Sequence, residues 1–159
     1  MATLIAYATK HGVTEKCVKA LQAVLPGGVD LVNLKERTPI LQKYDTVILG
    51  ASVYAGMPRK QVKAFALNNA AELKKKKLGL FLCCQAGGEQ AEKQLDAAFT
   101  PELRKTAIAQ GVLGGGFNTS KMNFIEKFAV EKISGKKVED SFDLHQDVLE
   151  AFAKAFGKA

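Results

Sequence analysis

Five short apolar runs punctuate the chain, at residues 3–8, 29–34, 46–51, 78–84 and around 108–115. Each is continuous rather than alternating, the pattern of strands covered on both faces in a parallel sheet. Between the runs, apolar positions switch to helical spacing. Cys17, Val18, Leu21, Val24 and Leu25 form one stripe, stopped by Pro26, Gly27 and Gly28. Pro58 opens a second helix with Val62, Phe65, Ala66 and Leu73 on one side. A third begins near Glu89 with Ala91, Leu95 and Phe99, and Thr100 with Pro101 restarts it as a cap and a first-turn proline. The pattern predicts a fourth from about 121 to 133, ended by Ser134 and Gly135. It predicts a last helix from about 143 to 156, with Leu144, Val148, Phe152, Ala155 and Phe156 inward and Gly157 as the stop. Residues 35–45, which include Pro39, fit a short helix or a loop.

Strands alternating with helices predict an α/β fold, because parallel neighbours need crossovers and the crossovers pack on the faces. The expected architecture is a single domain over residues 1–159: a doubly wound five-stranded parallel sheet with helices on both faces, in three layers. Ligands of such sheets bind outside the carboxyl ends of the strands, where the strand order reverses. The loops after the first, third and fourth strands are therefore the segments to read for chemistry.

The first of these holds Thr9, Lys10, His11, Gly12, Val13 and Thr14. A helix starting there presents unpaired backbone N–H groups and a positive dipole end. Gly12 allows close approach, the Thr9 and Thr14 hydroxyls can donate to phosphate oxygens, Lys10 adds charge and His11 a donor. These are the parts of a phosphate cradle; an ordinary turn capped by Thr9 or Thr14 is the other reading. The stretch has neither GxxxxGK[ST] nor GxGxxG, which excludes both nucleotide fingerprints. It also lacks the acidic residues of a phosphoacceptor receiver and the cysteine of a small phosphatase. What is left is a site for a phosphomonoester. The second loop, Ser52, Val53, Tyr54, Ala55 and Gly56, sets one aromatic among small residues, and Tyr54 could lie flat on a planar ring. It could equally be a surface tyrosine in a turn. The third loop, Gln85, Ala86, Gly87 and Gly88, offers backbone groups for the edge of a heterocycle, or simply a flexible connection. Converging on one site, the three loops suit a planar heterocycle on a phosphorylated linker, of which FMN is the commonest.

Composition narrows the class without naming it. Apolar residues make up 47% and charged ones 25%, ordinary globular usage. No apolar stretch approaches the ~20 residues of a membrane span, and no signal peptide is read at the start. Three cysteines, with Cys83 and Cys84 adjacent, suit a reducing compartment, and a cytoplasmic protein is expected. No Cys/His grouping has metal-ligand spacing. The net charge of +7 and the run Lys74, Lys75, Lys76, Lys77 fit a solvated helix end or a surface for anionic partners. No aromatics interleave the run, which disfavours nucleic acid. Cys83 and Cys84 are expected to pack as small buried side chains, and His145, on the final helix, to be a boundary residue rather than a ligand.

The stretch "YATKHGVTEKCVKAL" resembles the flavodoxin phosphate loop T-x-T-G-x-T, with His11 in the place of the middle threonine. "YDTVILGASVYAGMPRKQVKAF" is similar to the second loop of the flavodoxin-like FMN-binding family, in the branch that includes menaquinone-dependent protoporphyrinogen dehydrogenase. "GGGFNTSKMNFIEKFAVEKISG" resembles that branch after its fifth strand, although Asn118 to Asn123 lack the arginines and aromatics of its dehydrogenases. The likeness covers nearly the whole chain. It implies a flavodoxin-like fold and FMN as cofactor, with phosphate at Thr9 to Thr14 and the ring bordered by Ser52 to Gly56 and Gln85 to Gly88. Tyr54 would stack on that ring. It implies an electron carrier working between redox partner proteins, a reductase and an acceptor, or alternatively an FMN-dependent protoporphyrinogen or quinone oxidoreductase. A flavin-free interaction module is the third expectation. A quinone or an anionic membrane surface is a further expected contact, the latter through the lysines.

Overall fold

The computed structural model of the chain describes residues 2–9, 13–54, 57–84, 88–117 and 141–157. Among them the strands are β1 (Ala2–Ala8), β2 (Val29–Asn33), β3 (Tyr44–Tyr54), β4 (Met57–Pro58), β5 (Lys77–Cys83), β6 (Ala109–Phe117) and β7 (Ser141–Leu144). The helices are α1 (Val13–Val24), α2 (Lys60–Asn68), α3 (Ala70–Leu73), α4 (Gly88–Ala98), α5 (Pro101–Thr106) and α6 (Gln146–Lys154), with a short 3-10 turn at Leu41–Lys43. The five apolar runs lie side by side and parallel in the order β2-β1-β3-β5-β6. This is the expected doubly wound sheet. Two strands extend it: β7 joins β6 antiparallel, and β4 folds back antiparallel on the end of β3.

Alternate side chains of the central strands divide the core. Leu4, Ala6, Val47, Leu49, Leu78, Leu80 and Leu82 face Val62, Phe65 and Ala66 of α2, Leu73, Leu95 and Leu103. Ile5, Tyr7, Ile48, Phe81 and Cys83 face Cys17, Val18 and Leu21 of α1 and Leu149, Phe152 and Ala153 of α6. Each large aliphatic or aromatic side chain removed from water contributes ~1.5–3 kcal/mol, so the two faces together hold the layers. Phe152 meets the edge of Phe81 with ring centroids 6.2 Å apart. Thr100 caps α5 as its sequence position suggests, its hydroxyl accepting from Leu103 N at 3.3 Å.

Three boundaries differ from expectation. Pro58 belongs to β4, so the second helix begins at Lys60. That helix stops at Asn69, whose side-chain amide donates to Phe65 O at 2.9 Å, and Leu73 falls in α3. Asp143 and Leu144 lie in β7 rather than in the last helix, because their backbone completes the edge of β6 opposite Gly115 and Gly114. Gly114 makes this possible: a Cβ there would come within 2.5 Å of Asp143 O. The helix expected at 121–133 lies outside the described residues.

Candidate flavin site at the carboxyl edge of the sheet

Strand register brings the three loops to one place. Ala8 pairs with Ala51, Ala51 with Leu82, Ser52 with Cys83, and Cys83 with Gly114. The chain leaves β1 toward β2 on one side while β3 lies on the other, so the order reverses between β1 and β3. A crevice opens at such a switch point by topology alone.

Thr9 is buried at the end of β1, and its carbonyl accepts from Lys35 Nζ at 3.4 Å. Lys35 therefore stands beside the first loop, a position that the sequence pattern did not single out. It follows β2, the neighbour of β1, and is tied down by Leu34 N donating to Tyr7 O at 2.8 Å and Lys35 N donating to Asn33 Oδ1 at 3.0 Å. A lysine one or two residues past a strand adjacent to a phosphate loop was the available signal. Thr14, in the first turn of α1, is fully buried and its Oγ1 has no hydrogen-bond partner. It lies near the Cys83 sulfur, where it favours the thiolate, but without the geometry of a bond. Val13 opens α1. Lys10, His11 and Gly12 lie outside the described residues.

Backbone pairing shapes the described part of the second loop. β3 continues to Tyr54, Val53 pairs with Pro58, Tyr54 pairs with Met57, and Arg59 N donates to Ser52 O at 3.1 Å. Ala55 and Gly56, between the paired residues, are outside the description, as is the side chain of Tyr54. Ser52 and Val53 are half-buried, and Ser52 Oγ is enclosed without a partner. On the third loop, Cys84 N donates to Gly114 O at 2.9 Å and Gly88 begins α4. Gln85, Ala86 and Gly87 are outside the described residues.

The cysteines behind this edge, Cys17, Cys83 and Cys84, are buried. Burial first, and then its neighbour Cys17, pushes the Cys83 thiol well above its ordinary value, while a hydrogen bond from Cys83 lowers Cys17. Cys17 Sγ is 3.2 Å from where a Gly114 Cβ would stand, so the sulfur fills the space the glycine leaves. His145, expected on the final helix, precedes α6 instead, with Nδ1 2.9 Å from Val112 O and its backbone N donating to Leu113 O at 2.8 Å. The lysine run lies at the opposite, amino-terminal end of the sheet. Lys74 pairs with Glu102 at 2.5 Å and Lys76 Nζ donates to Tyr44 O at 2.6 Å. No group of metal-ligating side chains occurs among the described residues, and none of their helices is long and apolar enough to cross a membrane.

Comparison with known proteins agrees with this geometry. The family model of the flavodoxin domain matches residues 4–143. No curated protein sequence matches the chain. Among solved structures, oxidised flavodoxin 1 from Bacillus cereus is 18% identical with a TM-score of 0.59, over 98% of this chain and 97% of that one. A short-chain flavodoxin associated with a non-canonical PDU bacterial microcompartment is 17% identical with a TM-score of 0.58, over 98% and 96%. An NADPH-quinone reductase from P. pentosaceus is 16% identical with a TM-score of 0.51, over 100% and 99%. By the match of its sequence to the family model, and with the strand order and register that go with it, the chain belongs to the flavodoxin domain family.

Proposed function

We propose that the chain binds FMN at the carboxyl edge of its sheet and carries electrons between redox partner proteins. The observation that carries the proposal is a pair of enclosed hydroxyls without partners, Thr14 Oγ1 and Ser52 Oγ, on the first and second loops. Buried hydroxyls in a native fold are nearly always bonded, and leaving one unpaired costs ~1–3 kcal/mol. Two at one sheet edge, on the loops where a flavin phosphate and ring would sit, fit a ligand that supplies their partners. Thr9, Thr14, the first N–H groups of α1 and Lys35 would hold the phosphate, with Lys10, His11 and Gly12 completing the loop. Ser52, Val53, Tyr54, Ala55 and Gly56 would border the ring on one side and Gln85, Ala86, Gly87 and Gly88 on the other.

Bound FMN supplies an electron-accepting ring. The protein's own part is positional. The described edge presents hydroxyls, thiols and backbone, with Lys35 and Arg59 as cations and Glu15 in the first turn of α1. The carrier reading is supported by the match of residues 4–143 to the flavodoxin domain. The second reading, an oxidoreductase acting on protoporphyrinogen or a quinone with the same FMN, rests on the likeness of residues 44–65 to that branch. The two separate by assay. A carrier exchanges electrons with a flavodoxin-type reductase and leaves protoporphyrinogen and quinones unturned, whereas turnover of either moves the assignment to an enzyme.

A further inference from the structure

Three more enclosed polar atoms lack partners: Arg59 Nε, Gln61 Oε1 and Gln94 Oε1. They come from elements that meet. Arg59 caps the start of α2 and Gln61 lies in its first turn, next to Val62 in the core. Gln94 lies on α4 beside the core residue Leu95, on the same face of the sheet, and α4 packs against β4, the strand that leads into Arg59. Arg59 is fixed at the cofactor edge by its backbone, whose N–H donates to Ser52 O at 3.1 Å. Among the described residues it forms no ion pair.

A guanidinium with its Nε enclosed and no acidic partner is unfavourable unless an anion or acceptor completes it. Cations at the other end of the sheet do have partners: Arg104 is held by Glu92, Asp96 and Gln110, and Lys74 by Glu102. Arg59 differs in being unpaired and in standing one hydrogen bond from the loop proposed to border the flavin. Two-electron reduction of FMN at neutral pH takes up two electrons and one proton, giving FMNH⁻ and adding one negative charge and one N–H group to the ring system. Arg59 matches the first change, as a cationic donor for the added charge.

We propose that Arg59 recognises the reduced, anionic form of FMN and thereby raises the reduction potential of the bound cofactor. Resting on the FMN reading above, Arg59 is a tuning residue, acting on the relative affinity of two cofactor states rather than on cofactor capture. A cation near the ring favours the extra charge by simple Coulomb attraction, strengthened where water is excluded.

The test uses the FMN-loaded protein, its Arg59→Gln and Arg59→Lys variants, and stepwise reduction by dithionite against a reference dye, with the FMN dissociation constant measured for the oxidised state. Arg59→Gln is expected to leave oxidised FMN binding within threefold and to weaken reduced FMN relative to oxidised by about tenfold. That ratio is a two-electron potential lower by ~30 mV. Arg59→Lys retains the charge and stays within threefold of the parent ratio. If the parent and Arg59→Gln both bind FMN and the reduced-to-oxidised ratio is unchanged within twofold, the role of Arg59 is overturned while FMN binding stands. Equal loss of both oxidised and reduced binding in Arg59→Gln also overturns it, since Arg59 then holds the cofactor without discriminating its state. A parent that binds no FMN removes both proposals together.

Discussion

At the scale of single residues, the site is defined by groups whose bonding is incomplete without a ligand. Thr14 Oγ1 has no hydrogen bond to lose in the unliganded fold. Thr14→Ala is therefore expected to leave apoprotein stability within about 1 kcal/mol while weakening FMN roughly tenfold to a hundredfold, the range for a hydrogen bond to a charged group at ~1.5–3 kcal/mol. Fluorescence titration with FMN and thermal melts of the apoprotein measure the two effects separately. The candidate threonines were legible from sequence because a glycine and hydroxyls stand between a strand and a helix. Lys35 and Arg59 were not, since their proximity to the edge depends on which strands are neighbours and on a hairpin that no local pattern announces. Cys83 gives a prediction of a different kind. Its thiol is held above the ordinary value of 9.0 by burial, so the folded state keeps a proton that the unfolded chain releases sooner. The sign is that its contribution to stability is present below about pH 9 and is lost as pH rises further. Tyr7, raised mainly by burial with Glu15 and Glu36 adding to it, acts in the same direction above its ordinary 10.0. Denaturant midpoints are expected to fall as pH rises above about 9, where the unfolded chain releases the Cys83 and Tyr7 protons first. Cys83→Ala should flatten the lower part of that decline, and an unchanged slope would refute the assignment to Cys83.

At the scale of elements, continuous apolar runs predicted the parallel strands well, because burial on both faces leaves a signal that needs no partner to interpret. The antiparallel additions were hidden. β4 spans only Met57–Pro58, and β7 has the composition of a helix start, so pairing with β3 and β6 decides their state rather than propensity. Gly114 carries the β7 contact. Gly114→Ala would set a Cβ 2.5 Å from Asp143 O, a backbone atom that cannot swing aside. Overpacking of this kind costs ~1–3 kcal/mol. The variant is expected to melt several degrees lower and to lose amide-exchange protection along residues 141–144. Gly28→Ala, where a Cβ meets nothing within 4 Å, is the control and should stay within ~0.5 kcal/mol.

For the whole molecule, the lysine run and the candidate site lie at opposite ends of the sheet. The lysine run leads into the amino end of β5, whose seven residues span ~23 Å before the carboxyl edge is reached. That is nearly three Debye lengths of ~8 Å at physiological ionic strength. Sequence alone shows the +7 balance but not this separation, because position along the chain says nothing about which end of a sheet a residue occupies. Replacing Lys75 and Lys77 by Gln is accordingly expected to change the rate of electron exchange with a reductase less than twofold at any salt concentration. A tenfold change would place partner docking at the amino end instead. The measurement that bears most directly on the central claim is titration of the apoprotein with FMN, followed by flavin fluorescence and visible absorption. Saturable one-to-one quenching with a shifted flavin spectrum, weakened in Thr14→Ala, is the predicted result. An FMN spectrum and fluorescence unchanged by a stoichiometric excess of folded protein would contradict it.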